Sequence, residues 1–254
     1  MIAKVKSFAL FCALLLLTAT PMLAQENKLP EGKQVLADYF KAIGGEEKVA
    51  QLKSMQQDFQ IDMPAVGISG SGTQLMGGSG KFRQEMELAG FGNQTSGSDG
   101  TTAWEMSAIT GARLLEDEEA ETNQLANSSP VPQFNYGKFF EKIECTGIEK
   151  FDGVECYLVK YSKGDKKPMF DYFDKATGLL RGTRQTITSP QGEMEFETTY
   201  SNYKEVDGVK FAFNSVIQVG PGQTMEMKTK ELKLNPKFDA NRFELPDEVK
   251  LLKK

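Results

Sequence analysis

Apolar and polar residues alternate along most of the chain from Met55 onward. On several of these segments one face is rich in Met and Phe, at positions Phe82, Met86, Leu88, Met194, Phe196, Tyr200, Phe211, Phe213, Ile217, Val219, Met225 and Met227. A period of two residues is typical of β-strands with one buried and one exposed face. Because methionine side chains are flexible, such a face suits either a protein core or an apolar ligand. The pattern predicts sheet and leaves that choice open.

Turn-forming residues separate the alternating segments at short intervals. They are Pro64, Gly77-Gly78, Gly90, Asp99-Gly100, Asp152-Gly153, Thr177-Gly178, Pro190-Gln191-Gly192, Asp207-Gly208 and Pro221-Gly222. Asp-Gly between alternating segments is a strong signal for a hairpin, and connections this short join antiparallel neighbours. We therefore predict about ten strands in one meandering, strongly bent antiparallel sheet.

Helical spacing occurs ahead of the first strand. Residues 31–43 carry one apolar stripe, formed by Val35, Leu36, Tyr39, Phe40 and Ile43. Gly44 and Gly45 end this predicted helix, and residues 46–52 predict a second, shorter one. The stripe is expected to pack on the sheet, either plugging its apolar face or only covering it.

A third helix is predicted in the middle of the chain, where residues 114–132 interrupt the strands. Five acidic residues lie between Glu116 and Glu121, and acids favour the first turn of a helix. An Asn-Ser-Ser-Pro loop follows at residues 127–130. Acidic runs are usually solvated, so we favour an exposed helix over a metal site here.

The N-terminus has the pattern of a secretory signal peptide. Lys4 and Lys6 precede an apolar run over residues 8–17, and Ala24 is the predicted cleavage position. Residues 1–24 are therefore expected to be removed, leaving residues 25–254 as one domain. Without Lys4 and Lys6 the 30 basic residues become 28, against 35 acidic ones, a net charge of −7. This balance, without a basic cluster, argues against nucleic acid or anionic lipid surfaces as partners.

Two cysteines, Cys145 and Cys156, lie outside the predicted signal peptide and flank the Asp152-Gly153 turn. A two-residue loop there would place Cys145 opposite Lys160, four residues from Cys156. At about 3.3 Å per residue the thiols would lie roughly 13 Å apart, too far for a disulfide. Free thiols are the favoured interpretation. A disulfide stays open as the alternative for a different register, because an exported protein meets an oxidising compartment.

The chain contains no His, which excludes Ser-His and Cys-His nucleophilic systems and the commonest zinc ligand. No Gly-x-Ser-x-Gly elbow is present, and the cysteines outside the signal peptide lack CxxC spacing. We therefore expect a protein without catalytic residues, metal or cofactor. Carboxylate pairs are plentiful, so a hydrolase remains a lesser alternative.

Two segments resemble a known family. Residues 98–106 resemble the Ser-Asp-Gly-x-x-x-Trp hairpin of the periplasmic LolA-type lipoprotein carriers, and residues 239–246 are similar to that family's closing Asp-Ala-x-x-Phe segment with its Pro. A leading helix and a strand containing Phe82 fall in the matching order. The resemblance is to the uncharacterised LolA-like outer-membrane lipoprotein-sorting relatives. The carriers have an Arg that latches the lid near the position of Gly78, where this sequence departs from them.

The resemblance implies a mainly β fold, a half-open antiparallel β-barrel covered by N-terminal and mid-chain helices over a hydrophobic cavity. It implies a soluble periplasmic monomer that binds lipid or the acyl chains of lipoproteins. The residues expected to line the cavity are Phe82, Met86, Trp104, Met194, Phe196, Met225 and Met227. The alternative function is a non-enzymatic interaction or sensor module with a protein partner in the cell envelope.

Overall fold

The computed structural model describes residues 28–189, 192–220 and 222–253 of the chain. The predicted signal peptide lies outside these ranges. Within them, no helix is both long enough and apolar enough to cross a membrane.

Thirteen strands form one antiparallel sheet. They are β1 (Met55–Met63), β2 (Ile68–Met76), β3 (Lys81–Leu88), β4 (Gly92–Asp99), β5 (Ala103–Ser107), β6 (Gly111–Leu114), β7 (Lys142–Phe151), β8 (Val154–Ser162), β9 (Met169–Asp174), β10 (Leu180–Ser189), β11 (Gly192–Val206), β12 (Val209–Val219) and β13 (Gln223–Leu234). Their spatial order is β6-β5-β4-β3-β2-β1-β13-β12-β11-β10-β9-β8-β7. Within the described ranges β6 and β7 are the edges, so the sheet curls without closing. The bent antiparallel sheet is confirmed, with thirteen strands rather than about ten.

The helices lie at the chain ends and in the middle. They are α1 (Gly32–Ile43), α2 (Glu46–Ala50), α3 (Asp117–Ala126), α4 (Tyr136–Phe139) and α5 (Asp247–Lys250), with two 3-10 helices at Pro132–Asn135 and Ala240–Phe243. The two predicted N-terminal helices and the acidic mid-chain helix are therefore present, and Gly44 ends α1 with a positive φ of 130°.

The α1 helix plugs one half of the curled sheet. Its stripe, from Val35 to Ile43, belongs to the largest core cluster, together with Val159 and Phe173 of the sheet. Ile43 and Val159 are completely buried. We call the sheet face that α1 covers the concave face. Burial of this stripe stabilises this half of the fold, at about 25 cal/mol per Å² of apolar surface removed from water.

The other half of the concave face has no helix in its apolar cluster. The cluster joins β1, β2, β3 and β13 and consists of Phe59, Ile61, Met63, Ile68, Met86, Leu88, Met225 and Met227. We call it the methionine cluster. Its strands bury one another's side chains: a Cβ at Gly72 would lie 2.7 Å from Phe59 Cζ and 3.0 Å from Met86 Cγ. Glycine in β2 thus gives room for side chains from both neighbouring strands.

The β7–β8 hairpin turns at Asp152 and Gly153, as predicted, but its register shifts farther along. The pairing shifts between Cys145 and Gly147, so Cys145 lies opposite Val159. The predicted partner of Cys145, Lys160, is wrong because one extra residue in β7 forms a bulge.

Both described cysteines are free thiols, which confirms the favoured interpretation. Cys156 is completely buried beside Phe151, Leu158 and Tyr172. Burial raises the pKa of the Cys156 thiol to about 11, so this thiol is poorly reactive at neutral pH.

Gly72→Ala tests how tightly the methionine cluster is packed. The added methyl group would lie 2.6 Å from the Glu85 carbonyl oxygen. Because backbone cannot move as a side chain can, we expect a loss of about 1–3 kcal/mol in the free energy of unfolding. Urea unfolding measures this loss, and the m-value is expected to stay unchanged. Gly147→Ala is the matched control, because its methyl group would meet no atom within 4 Å; equal effects would contradict the packing argument.

Candidate functional site

A cavity of about 270 Å³ lies between the concave face and the helical elements that cover it. We call it the central cavity. It is bounded by α1, α3 and the 3-10 helix Pro132–Asn135 on one side, and by strands from both halves of the sheet on the other. Its apolar lining residues include Met55, Leu125, Val131, Met169, Leu180, Phe211, Met227 and Leu232. The central cavity therefore lies where the α1 core meets the methionine cluster.

Polar side chains, Lys210 and four tyrosines among them, make up half of the lining residues, and several have partners within the protein. Gln57 Nε2 donates to Thr229 Oγ1 at 2.7 Å, across the β1–β13 pair. Tyr203 Oη donates to the Leu180 carbonyl oxygen at 2.6 Å. These groups are satisfied within the protein, so they add little attraction for a ligand.

Ser215 is different, because its hydroxyl lies in the cavity wall without a partner. The residue is 7% exposed, and no hydrogen bond to Ser215 Oγ is found among the described residues. In the sheet it lies between Tyr200 of β11 and Met227 of β13. A buried hydroxyl without a partner costs about 1–3 kcal/mol, which a hydrogen bond from a ligand or a water would recover.

Behind the cavity wall lies a buried carboxylate, Asp171 of β9, which is fully buried. Thr183 Oγ1 donates to its Oδ1 at 2.8 Å, and Gln133 Nε2 and Tyr161 Oη donate to its Oδ2 at 3.4 and 3.1 Å. Thr183 and Gln133 themselves line the cavity. The Asp171 network ties the 3-10 helix to three neighbouring strands.

Burial raises the pKa of Asp171 to about 6, and the hydrogen bonds from Thr183, Gln133 and Tyr161 partly oppose that rise. Burial likewise raises the pKa of the cavity-lining Tyr200 to about 12. The tyrosines are therefore neutral near pH 7, whereas the raised pKa of Asp171 brings its titration closer to physiological pH.

The α3 helix covers the cavity mainly through ion pairs, with Leu125 as its apolar contact to the core. None of its residues is fully buried. Arg113 of β6 binds Glu119 with two hydrogen bonds of 2.7 and 3.0 Å, and Lys166 contacts Glu121. Only Thr122, Leu125 and Ala126 line the cavity from this helix. The predicted acidic helix is thus solvated and ion-paired.

The structure brings some of the predicted cavity residues together. Met227 lines the central cavity. Met86 and Met225 lie with it in the methionine cluster. Phe82 is 5% exposed and packs with Met55, which lines the cavity. These four residues share the concave face.

The remaining predicted residues lie farther away. Phe196 is half-buried opposite Val219, and Met194 is 37% exposed near the start of β11. Trp104 pairs with Gly97, whereas the adjacent pair on β4 is Phe82 with Ser98. Side chains alternate along a strand, so Trp104 is on the opposite face from Phe82. There it is buried under the Arg83 guanidinium, 5.7 Å from the ring centroid.

Sequence reasoning missed Asp171 and Ser215. The signal for Asp171 was present, because it is the one charged residue within Met169-Phe170-Asp171-Tyr172-Phe173, an otherwise apolar and aromatic run. An acid inside a buried strand predicts a hydrogen-bond network. Ser215 carries no such signal, since serine is common on either face of a strand.

No group of three or more His, Cys, Asp or Glu side chains is placed to hold a metal ion in the described part of the chain.

Asp171→Asn tests the buried carboxylate. A pKa raised from 3.8 to about 6 means that the folded state holds its proton more tightly, so stability is lost as the pH rises from about 4 through 6. At 1.36 kcal/mol per pKa unit, the wild type should lose about 3 kcal/mol relative to the variant between pH 4 and 7. Urea unfolding across this range measures the difference.

Asp165→Asn, at an exposed position, is the control, and its difference from the wild type should not change with pH in this way. A wild-type to Asp171→Asn difference that stays constant across the range would show that Asp171 titrates normally.

Comparison with known proteins identifies the fold. The sequence matches no protein-family model and no curated protein. In structure the chain is similar to a LolA superfamily protein from Nitrosomonas europaea, with 13% identity and a TM-score of 0.56 over 87% of this chain and 97% of that one. It is also similar to a domain assigned to the outer membrane lipoprotein-sorting proteins from Vibrio parahaemolyticus, with 13% identity and a TM-score of 0.54 over 84% and 97% of the chains.

A third similar structure is a DUF1329 family protein from Desulfovibrio piger, with 11% identity and a TM-score of 0.55 over 85% of this chain and 98% of that one. All three likenesses extend over nearly the whole of the compared chains. At these identities the likeness concerns the fold. The chain therefore has the fold of the LolA superfamily.

Proposed function

We propose that this protein binds a single apolar chain, an acyl chain of a lipid or lipoprotein, in the central cavity. The observation that supports this most is the cavity itself, which lies between the α1 core and the methionine cluster and whose walls combine Met, Leu and Phe with tyrosines and other polar side chains. Each buried CH₂ group contributes about 0.8 kcal/mol, so binding needs no catalytic residue. The protein acts as a binding protein and not as an enzyme.

The size of the cavity limits the ligand. Ligand pockets usually measure about 300–1,000 Å³, and the volume of about 270 Å³ found here lies just below that range. It has room for one chain rather than several. The adjoining methionine cluster is made of adaptable side chains, which supports some widening for longer chains.

The polar groups of the wall favour a ligand with one hydrogen-bonding group along an apolar body. The unpartnered Ser215 hydroxyl is the natural contact for an ester, amide or hydroxyl oxygen. A purely hydrocarbon ligand would leave it unpaired.

The periplasm is the proposed location. The charged start, apolar run and Ala24 of residues 1–24 support export, and the LolA-type fold supports a place in lipoprotein sorting or envelope maintenance. The expected form is a monomer, since a carrier of one chain needs no second subunit.

Mass spectrometry of organic extracts from the purified protein tests the proposal directly. We expect a co-purified lipid in about one-to-one ratio, and uptake of a fluorescent fatty acid by the delipidated protein. Absence of both would refute the proposal.

Two substitutions at Ser215 distinguish the effect of cavity volume on binding from the effect of the hydroxyl group. Ser215→Leu fills part of the cavity and removes an unpaired hydroxyl, so ligand affinity should fall by about tenfold or more while stability holds or rises. Ser215→Ala removes the hydroxyl without filling the cavity and should weaken binding only by the lost hydrogen bond, about fivefold. Equal affinities of wild type and Ser215→Leu would place the ligand elsewhere.

A further inference from the structure

Several hairpin turns meet at one end of the sheet. The turns β1–β2, β3–β4 and β5–β6 follow successive antiparallel strands, so all three lie at the same end. Ala89 N donates to the Ser69 carbonyl oxygen at 2.9 Å, which joins the second turn to the first hairpin. Gln94 of β4 pairs with Ser107 of β5, so the β5–β6 turn lies next to the β3–β4 turn.

The same end continues along the other half of the sheet. Asp62 pairs with Glu226, so the β12–β13 connection follows next to the β1–β2 turn. Gly220 N donates to the Glu195 carbonyl oxygen at 2.9 Å, so the β10–β11 connection is the next neighbour. We call this row of connections the apolar rim.

Most exposed large apolar residues of the described chain lie on this rim. Val66 is 63% exposed, Phe91 42%, Ile109 66% and Met194 37%, each from a different hairpin. Single exposed apolar residues are ordinary, but their convergence on one end is not.

The turns of the rim themselves lack charge, in a chain of which 26% of residues are charged, although Asp62, Glu193 and Glu226 lie beside them. They fall within the charge-free segments 63–80, 88–98, 106–112, 185–192 and 211–225, the first of which also contains the uncharged β2–β3 turn at the opposite end. The opposite end of the sheet has Asp99, Asp152, Asp174 and Asp207 in or beside its turns. The two ends therefore differ in chemistry, although they share one sheet.

A basic loop borders the apolar rim. The β8–β9 connection contains Lys163, Lys166 and Lys167. Each is ion-paired within the protein, Lys163 and Lys166 with Glu121 and Lys167 with Glu193, next to Met194, so docking would exchange these partners for head groups. Apolar tips beside a group of lysines are complementary to the surface of a bilayer with anionic head groups, in which apolar side chains enter the interface and lysines stay at the phosphates.

From this arrangement we infer that the apolar rim docks the protein reversibly on an anionic lipid surface. The inserted residues are Val66, Phe91, Ile109 and Met194, and the loop 163–167 contacts the head groups. A protein partner is less well matched, because the apolar residues stand on separate tips rather than in one continuous patch. The methionine cluster lies directly behind the rim and joins the central cavity through Met227, which gives an apolar path between bilayer and cavity.

Binding to vesicles tests this inference. The protein purified after export, with its N-terminus verified by mass spectrometry, is sedimented with vesicles of phosphatidylcholine alone or mixed with phosphatidylglycerol. We expect stronger binding to the mixed vesicles. Val66→Ser/Phe91→Ser/Ile109→Ser should lower the partition coefficient by about tenfold or more. Lys163→Gln/Lys166→Gln/Lys167→Gln should lower the partition coefficient about fivefold for each lysine that contacts the membrane surface. This effect should appear only with the vesicles that contain phosphatidylglycerol.

Two control variants make the same kinds of substitution at exposed positions away from the rim. Ile148→Ser/Leu251→Ser/Leu252→Ser changes three apolar residues that are 40%, 81% and 41% exposed away from the rim. Lys41→Gln/Lys150→Gln/Lys237→Gln changes three exposed lysines elsewhere. Both should bind vesicles as the wild type does.

The inference is overturned if the wild type binds neither vesicle, or if the rim variant and its control bind alike. Capture of a protein through the rim without vesicle binding would overturn it as well. The proposed function has a separate readout, because uptake of a fluorescent fatty acid from solution depends on the central cavity. That uptake should be unchanged in the rim variant.

Discussion

A sheet that curls without closing must bury its concave face, and in this protein the two halves of that face are buried in different ways. Over one half the α1 stripe packs on residues such as Val159 and Phe173. Over the other half the strands cover one another, because Gly72 leaves space for Phe59 and Met86. The central cavity exists where these two arrangements meet and neither fills the space. Its position follows from the packing of α1 rather than from any special cavity motif.

The backbone of the turns does not determine their charge. Tight hairpins need residues with positive φ, and at one end of the sheet Asp152 and Asp207 supply it, each followed by glycine. At the other end Gly67, Gly90 and Gly111 supply it without a charged neighbour. Both solutions satisfy the same geometry, so the charge of a turn can differ between the two ends without a change of backbone. Fold and surface chemistry are therefore separable here.

Periodicity and turn chemistry were enough to predict the two N-terminal helices, the acidic mid-chain helix, the antiparallel order and the Asp152-Gly153 hairpin, because each depends on neighbours in sequence. The short helices α4 and α5 were not predicted. The features that escaped prediction depend on distant contacts. The bulge beside Cys145 follows from packing along a whole strand pair. Trp104 follows an apolar pattern yet lies on the far face of the sheet. The burial of the Asp171 carboxylate depends on its hydrogen-bond donors Thr183, Gln133 and Tyr161, which are distant from it in sequence.

The attachment of α3 sets it apart from the rest of the molecule. Its link through Arg113 and Glu119, and its contact between Lys166 and Glu121, are ionic, and none of its residues is fully buried. Ionic strength weakens such contacts but hardly affects a core like that around Ile43. With Leu125 as its one contact to the core cluster, we expect α3 to open locally without global unfolding. In hydrogen exchange its amides should form a salt-sensitive cooperative unit, distinct from the slow-exchanging strands beneath it.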